Sequence, residues 1–443
     1  MTNSKRRGLA LVGLLGAAAL VLTACGGGSS SSSGGGDASD VGITANSVLI
    51  GGHYPLTGVA APGYSGIPVG AKAYYDYVNK AGGVNGRKIN FTFMDDGYNP
   101  ANTSEVVNQL VLKDQVFAIV GGLGTPTHSA VVDFLNSEHV PDLFVSSGSV
   151  MWDQAKKDPM TFGWQTDYES EGKILGKYIK DNMPNAKVGL FLQDDDLGAD
   201  GAKGIKQFVA NQVVSEVKYV PGNTDVGPQL ANLQKSGADV VIGFNVPSYT
   251  ALSQLTALKL NYKPTWLYSN VGSDPTLVGS LLNKFSEGKA KDASPLAGVI
   301  TTQYIPGLDR AEDPWVQLWQ KVWKETGDGS PLTNYKIYGM AEAYTFVQAL
   351  QAAGASPTRD GIVKAIEKQG ARFQGPNLVP YRYSADRHAG IGGMQVVNLD
   401  AQAKGEPVTP LLQTDVGNAP ITEYMGAPST PPASGIPDVK PAG

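Results

Sequence analysis

The chain has 443 residues, with 35 basic against 40 acidic side chains and a formal charge of −5 at pH 7. That length exceeds what one hydrophobic core usually fills, so two lobes are expected. An acidic body without a basic run beyond the first few residues argues against nucleic acid as a partner.

In chain order, Lys5-Arg6-Arg7 precedes an uncharged apolar run, Gly8 to Leu22, and Leu22-Thr23-Ala24-Cys25 closes it. The run is too short to span a bilayer comfortably and has the layout of a secretory signal. Its end resembles the lipobox of bacterial lipoproteins, in which the cysteine is lipidated and the chain is cut just before it. Cys25 is the sole cysteine, so it has no internal disulfide partner. The expectation is a signal peptide over 1–24 and lipidation at Cys25. This would hold the exported protein to the outer face of the bacterial cytoplasmic membrane. Gly26 to Gly36 is nearly pure glycine and serine, so 25–46 is expected to be a flexible tether.

From Val48 onward short apolar runs alternate with amphipathic ones. Strands are predicted at 48–52, 89–94, 116–121 and 143–146, with helices at 66–80, 103–113 and 129–137. The pattern then restarts, with strands at 187–192, 214–220, 240–244 and 265–268 and helices at 169–181, 201–211, 228–235 and 249–258. A third section carries strands at 299–304 and 395–398 and helices at 314–324, 338–353 and 359–368. Such alternation predicts an α/β fold of parallel sheets with helices on both faces, here as two Rossmann-like lobes. Ligands of such sheets bind beyond the carboxyl ends of the strands. The strand-to-helix loops, rich in Gly, Ser, Thr, Asn and Tyr, are therefore the candidate site. The stretch 425–443 is rich in Pro, Ala, Gly and Ser and is expected to be disordered.

The residues carry a family resemblance. Val48 to Arg87 reads VLIGGHYPLTGVAAPGYSGIPVGAKAYYDYVNKAGGVNGR, and further echoes are Asp95-Asp96, GGLGTPTHS at 121–129, SSGS at 146–149 and DDDLGADG at 194–201. Over about 47–400 the chain resembles the type I periplasmic binding proteins of the branched-chain amino-acid (Leu/Ile/Val) receptor group. The resemblance implies two lobes joined by three crossovers that close around a small solute. It further implies delivery of that solute to the permease subunits of an ABC importer. The lobes are expected at 47–165 with about 300–375, and at 166–299 with about 376–424. A monomer is expected, with no cofactor or metal and no enzymatic activity. The competing expectation is a ligand-sensing subunit read by a signalling partner.

The resemblance also places ligand contacts. In the first lobe these are Gly124 and Thr125, then Ser147, Gly148 and Ser149; the rings of Tyr64 and Trp152 are expected to lay an aromatic wall over the ligand. Thr125 matches a position whose hydroxyl binds a ligand carboxylate, although Thr125 and Thr127 also suit a helix cap. In the second lobe the candidates are Asn245, Tyr249 and Asn270. Family receptors place an acid near Asn270 to meet the ligand's ammonium. A neutral residue there predicts a small carboxylate, amide or aromatic acid without a free ammonium, since a buried unpaired ammonium is costly. His128 is expected either to touch ligand or to lie on a helix surface. Trp315, Trp319 and Trp323, four residues apart, are expected to form a core stripe.

Overall fold

Two sheets carry the architecture of this computed structural model, which describes residues 40–290, 294–402 and 404–442. The signal segment, Cys25 and nearly all of the tether lie outside the described residues. Among those described, no helix is long and apolar enough to cross a membrane.

The first sheet contains β1 (Ser47–Tyr54), β2 (Lys88–Asp95), β3 (Ala118–Val120), β4 (Asp142–Val145) and β5 (Thr161–Gly163). They run parallel in the order β2-β1-β3-β4-β5. β3 and β4 are fully buried and, Asp142 apart, apolar, as strands covered by helices on both faces are. The second sheet has a parallel core of β6 (Val188–Gln193), β7 (Val213–Tyr219), β8 (Val240–Phe244), β9 (Thr265–Tyr268) and β10 (Ile300–Gln303), in the order β10-β9-β8-β6-β7. β11 (Gly393–Leu399) adds antiparallel to β10. The short strands β12 (Gly405–Pro407), β13 (Leu412–Gln413) and β14 (Thr422–Glu423) complete that edge.

Three segments cross between the lobes, just after β5, after β10 and before β11. They are tied side by side. Ile391 N donates to Trp164 O at 2.9 Å, Thr166 Oγ1 donates to Gly393 O at 2.9 Å, and the Tyr304 ring meets Trp164 edge-on. The expected lobe boundaries shift accordingly. β10 belongs to the second sheet rather than to the returning first-lobe segment. Residues near 381–391 instead finish the first lobe, where Tyr383 OH donates to Gly163 O at 2.7 Å. β5 and the helix Pro275–Phe285 were not predicted.

The third section packs on the first lobe. The helix Asn334–Ala352 lies against Gly66–Lys80, where a Cβ on Gly70 would come within 2.1 Å of Lys336 O. Trp315, Trp319 and Trp323 are buried on the helix Pro314–Thr326. Trp315 stacks on Trp319 at 5.7 Å, and Trp319 meets Tyr74 edge-on. The stripe is core, as expected from its spacing. The C-terminal stretch corrects the expectation of disorder. Residues 425–442 lie along these aromatics, accepting from Trp315 Nε1 at Ser429 O, Tyr74 OH at Gly435 O and Tyr77 OH at Ser434 O, each at 2.8–2.9 Å. A proline-rich backbone has few N–H groups of its own, but its carbonyls satisfy the polar tips of otherwise buried tyrosine and tryptophan rings.

Candidate ligand site

Each parallel sheet reverses direction once in its strand order, between β1 and β3 in the first lobe and between β6 and β8 in the second. Loops leaving such strands in opposite directions open a crevice. Here both crevices face one another. Tyr64 after β1 and Gly124-Thr125 after β3 line the same cavity as Leu197 after β6 and Val246 after β8. The cavity has a volume of about 200 Å³. Six tyrosines, Tyr64, Tyr98, Tyr168, Tyr304, Tyr335 and Tyr338, dominate its wall.

The Gly121–Thr125 loop needs its glycines. Gly124 has φ +106°, and a Cβ there would lie 2.3 Å from Thr127 Oγ1 and 2.6 Å from Tyr98 Cε2. Only a residue without a side chain fits. Thr125 opens the short helix Thr125–Ser129, and its hydroxyl shares a hydrogen bond with Ser147 Oγ at 2.8 Å. Thr127 Oγ1 donates back to Leu123 O at 2.6 Å. The two threonines therefore divide their work, one toward the cavity and one toward the loop's own backbone.

His128 lies beneath this loop, fully buried, so neither expectation for it holds. Its Nδ1 pairs with His53 Nε2 at 2.9 Å and its Nε2 with Asp142 at 2.8 Å, while His53 Nδ1 reaches Asp96 at 2.8 Å. Thr103 and Thr161 donate to the two aspartates. Burial holds His53 below its ordinary range, against the opposing pull of Asp96. This buried chain fixes the floor of the Gly121–Thr125 loop, because a Cβ on Gly122 would touch both histidines at 2.6 Å.

The remaining candidates separate. Ser147, Gly148, Ser149 and Trp152 line a separate neighbouring space that shares Gln165 with the main cavity. The ring of Tyr168 packs against Gly148 between them. Asn270 lines the main cavity, with its backbone N–H donating to Glu171 at 2.7 Å and its amide donating to Thr302 O at 2.7 Å. Asn245 and Tyr249 do not line it. Asn245 Nδ2 turns inward to Thr250 Oγ1, and Tyr249 stacks on Tyr219 at 3.8 Å while its hydroxyl accepts from Gly222 N. Both sit behind Val246 and brace that loop.

Buried acids surround the cavity. Glu171 supports Asn270 and Thr302 from behind, and burial pushes its carboxyl up to about 7. Glu342 accepts from Ser146 Oγ at 2.7 Å and is raised by burial to about 8. Asp274 caps the helix Pro275–Phe285 by accepting from Leu277 N at 2.7 Å, and burial raises it too. Asp274, four residues after Asn270, brings an acid into this wall. The residues that sequence reasoning missed are Tyr98, Tyr168, Asp274, Asn334 and Tyr335. Asp274-Pro275 had a usable signal, an Asp N-cap followed by Pro at the first helical turn.

Hydrogen bonds join the lobes across the cleft. Tyr64 OH donates to Val271 O at 3.3 Å, Ser248 Oγ to Val59 O at 2.8 Å, Val150 N to Asp200 Oδ2 at 3.0 Å, and Gln193 Nε2 to Tyr98 OH at 3.2 Å. The lobes are closed on one another. Burial raises Asp195 and Asp200, which flank these contacts, to about 6.

The comparisons agree with this architecture. A family model described as "Periplasmic binding protein" matches residues 47–406. The chain is 25% identical over 338 residues to a Leu/Ile/Val-binding protein homolog 1 of Brucella abortus, covering 73% of this chain and 83% of that one. A Leu/Ile/Val-binding protein homolog 3 of Brucella melitensis is 26% identical over 206 residues, so the match covers 44% of this chain and about half, 53%, of that relative. The crystal structure of a branched-chain amino acid ABC transporter protein from Thermus thermophilus with bound valine superposes with a TM-score of 0.71 at 18% identity, covering 83% and 96% of the two chains. The chain belongs to the periplasmic binding protein family and has its type I, two-lobed fold.

Proposed function

We propose that this chain is a solute receptor held outside the cytoplasmic membrane by a lipid on Cys25, which closes on a small polar ligand and presents it to ABC importer permease subunits. The observation that carries the reading is the facing of the two crevices. Loops at the switch point of each sheet line one cavity, and bonds between the lobes close its rim. A ligand touching both lobes shifts the population toward the closed form, which needs no catalytic group. The relatives' names and the valine in the Thermus thermophilus structure support an amino acid or a related amide or carboxylate as the solute class. Thr125, Gly124, Tyr64 and Asn270 are the proposed contacts, with Ser147, Gly148, Ser149 and Trp152 supporting them from the adjoining space.

The test is thermal unfolding of the full chain against amino acids, small amides, and aliphatic and aromatic acids. A ligand at 100 times its dissociation constant adds about 2.7 kcal/mol, and calorimetry then gives its affinity. Recovery of the ligand unchanged after binding separates a receptor from an enzyme. The anchor is tested by Cys25→Ser, which should release the protein from the membrane fraction; retention there counts against lipidation.

A further inference from the structure

The end of the chain joins the two lobes. Residues 411–424 belong to the second. Leu412 and Gln413 of β13 pair with Glu423 and Thr422 of β14, β13 pairs with β11, and Tyr424 N donates to Leu411 O at 2.8 Å. Lys173, on the second-lobe helix Tyr168–Asn182, donates to Ala419 O at 2.7 Å. Five residues after Tyr424 the chain is seated on the first lobe. There Ser429 O accepts from Trp315 Nε1 at 2.8 Å. Further along, Gln351 on the first-lobe helix Asn334–Ala352 donates to Pro437 O at 2.6 Å and accepts from Val439 N at 3.1 Å. Ala442 N donates to Ala352 O at 2.8 Å, and Ile436 and Val439 pack on the core.

The link between these anchorages is short. Only 425–428 lie between them, and Met425 is 83% exposed. Five Cα steps span at most about 17 Å when fully extended, and Pro428 removes freedom from the last of them. The link also stands off the hinge. The three crossovers lie side by side and form a common axis, which by itself leaves the lobes free to rotate. β14 is two strands beyond β11, about 10 Å to one side at the usual strand spacing. A tether at that distance resists rotation about the axis, as one lying on the axis would not.

We infer that the tail is a strap, a fourth connection between the lobes among the described residues, which limits how far the empty lobes part and keeps the receptor near its closed form. The strap acts only while 429–442 stay docked, and the length of 425–428 sets its limit. A receptor held in this way populates its binding-competent form more often, so less affinity is lost to closing. The inference needs the two-lobed fold and no particular solute.

The experiment measures the separation of the lobes in the empty protein. Spin labels are placed on Leu112→Cys and Leu258→Cys, exposed positions on the first and second lobe, in a Cys25→Ser chain. Pulsed dipolar spectroscopy then gives their distance distribution. The full chain is compared with one carrying a flexible Gly/Ser segment between Gly426 and Ala427, and with the chain ended at Tyr424, alone and with free peptide 425–443. The insertion should leave the melting temperature nearly as it was, because the tail still docks, yet shift the distribution to longer distances. The chain ended at Tyr424 should show the same shift with a lower melting temperature. Free peptide should restore its melting temperature but not the distances. A distribution unchanged by the insertion overturns the inference. So does recovery of the full chain's distances with free peptide, since docking rather than connection would then set the opening. The insertion keeps the test decisive where the shortened chain fails to fold.

Discussion

Asn334 Nδ2 donates to Asp274 Oδ2 at 2.6 Å, and the two residues belong to different lobes. Asn334 starts the helix that packs on the first lobe, whereas Asp274 caps a helix that packs on Pro247–Lys259 of the second. Asn334 Oδ1 also accepts from Leu308 N at 2.8 Å, just beyond the second crossover. One side chain therefore ties the hinge, the first lobe and the second lobe's wall of the cavity.

Removing that tie should open the empty protein. Asn334→Ala is expected to raise the radius of gyration in small-angle scattering without ligand, while saturating ligand restores the wild-type value. A bond of this kind is worth about 1 kcal/mol net, which corresponds to a several-fold change in the ratio of closed to open forms. An unchanged scattering profile would show that the other rim contacts suffice for closure.

Glu342 predicts the protein's response to alkali. Its carboxyl, raised by burial to about 8, keeps its proton in the folded state while an unfolded glutamate loses it near 4.5. The folded state then binds the extra proton, so this group's contribution is fully present below about pH 4.5 and is lost as pH rises toward 8. Glu171, raised to about 7, acts in the same direction. Glu342→Gln keeps an acceptor for Ser146 but cannot ionise. Wild type should lose melting temperature between pH 5 and pH 8, and the variant should lose measurably less. Equal slopes would mean that Glu342 is ionised throughout.

The buried chain Asp96–His53–His128–Asp142 should be a stability element whose loss disturbs the ligand loop indirectly. His128→Ala would take one partner each from Asp142 and His53 in a region closed to water, leaving them Thr161 and Asp96. A buried polar group left short of a hydrogen-bond partner typically costs about 1–3 kcal/mol, readable as a lower urea midpoint at unchanged slope. A loss below about 1 kcal/mol would show that water replaces the imidazole.

The alternation of strands and helices was largely legible. The helix over 66–80 and the strands over 240–244 and 265–268 fall where periodicity puts them. The general place of the cavity was legible too, because the strand-to-helix loops were the expected region, and those after β1, β3, β6 and β8 line it. What escaped was whatever depends on distant chain. Asn245 looked like a ligand contact from its place at a strand end, but Thr250 one helical turn on captures its amide. Tyr335 and Asn334 come from a helix far along the chain, and nothing local places them beside Tyr64. The tail escaped because composition reports how little apolar surface a segment can bury. It says nothing of the carbonyls that such a segment offers to Tyr74, Tyr77 and Trp315.

The tail's contacts make a prediction of their own. Ending the chain at 424 removes acceptors from Trp315, Tyr74 and Tyr77 and also takes Pro437 O from Gln351 Nε2. At about 1 kcal/mol per bond, and with Ile436 and Val439 also withdrawn from the core, the truncated chain should be less stable by more than about 4 kcal/mol. Its tryptophan emission should shift to the red. A truncated chain with wild-type stability would mean that water serves those groups equally well.

Gly124 and Gly82 provide a matched pair for the ligand loop. Their φ angles are almost the same, +106° and +105°, but a Cβ on Gly82 meets nothing within 4 Å, whereas one on Gly124 runs into Thr127 and Tyr98. Gly82→Ala therefore reports the backbone penalty alone, about 1–2 kcal/mol. Gly124→Ala should cost more, because Tyr98 is itself held at φ +59° by Asp96 accepting its N–H and cannot swing away freely. The excess should appear in ligand affinity as well as stability, since moving Tyr98 breaks its bond from Gln193 in the other lobe. Urea unfolding and calorimetry on both variants measure the two effects. Equal losses in the pair would show that the loop yields to the added methyl group and that Tyr98 does not set its shape.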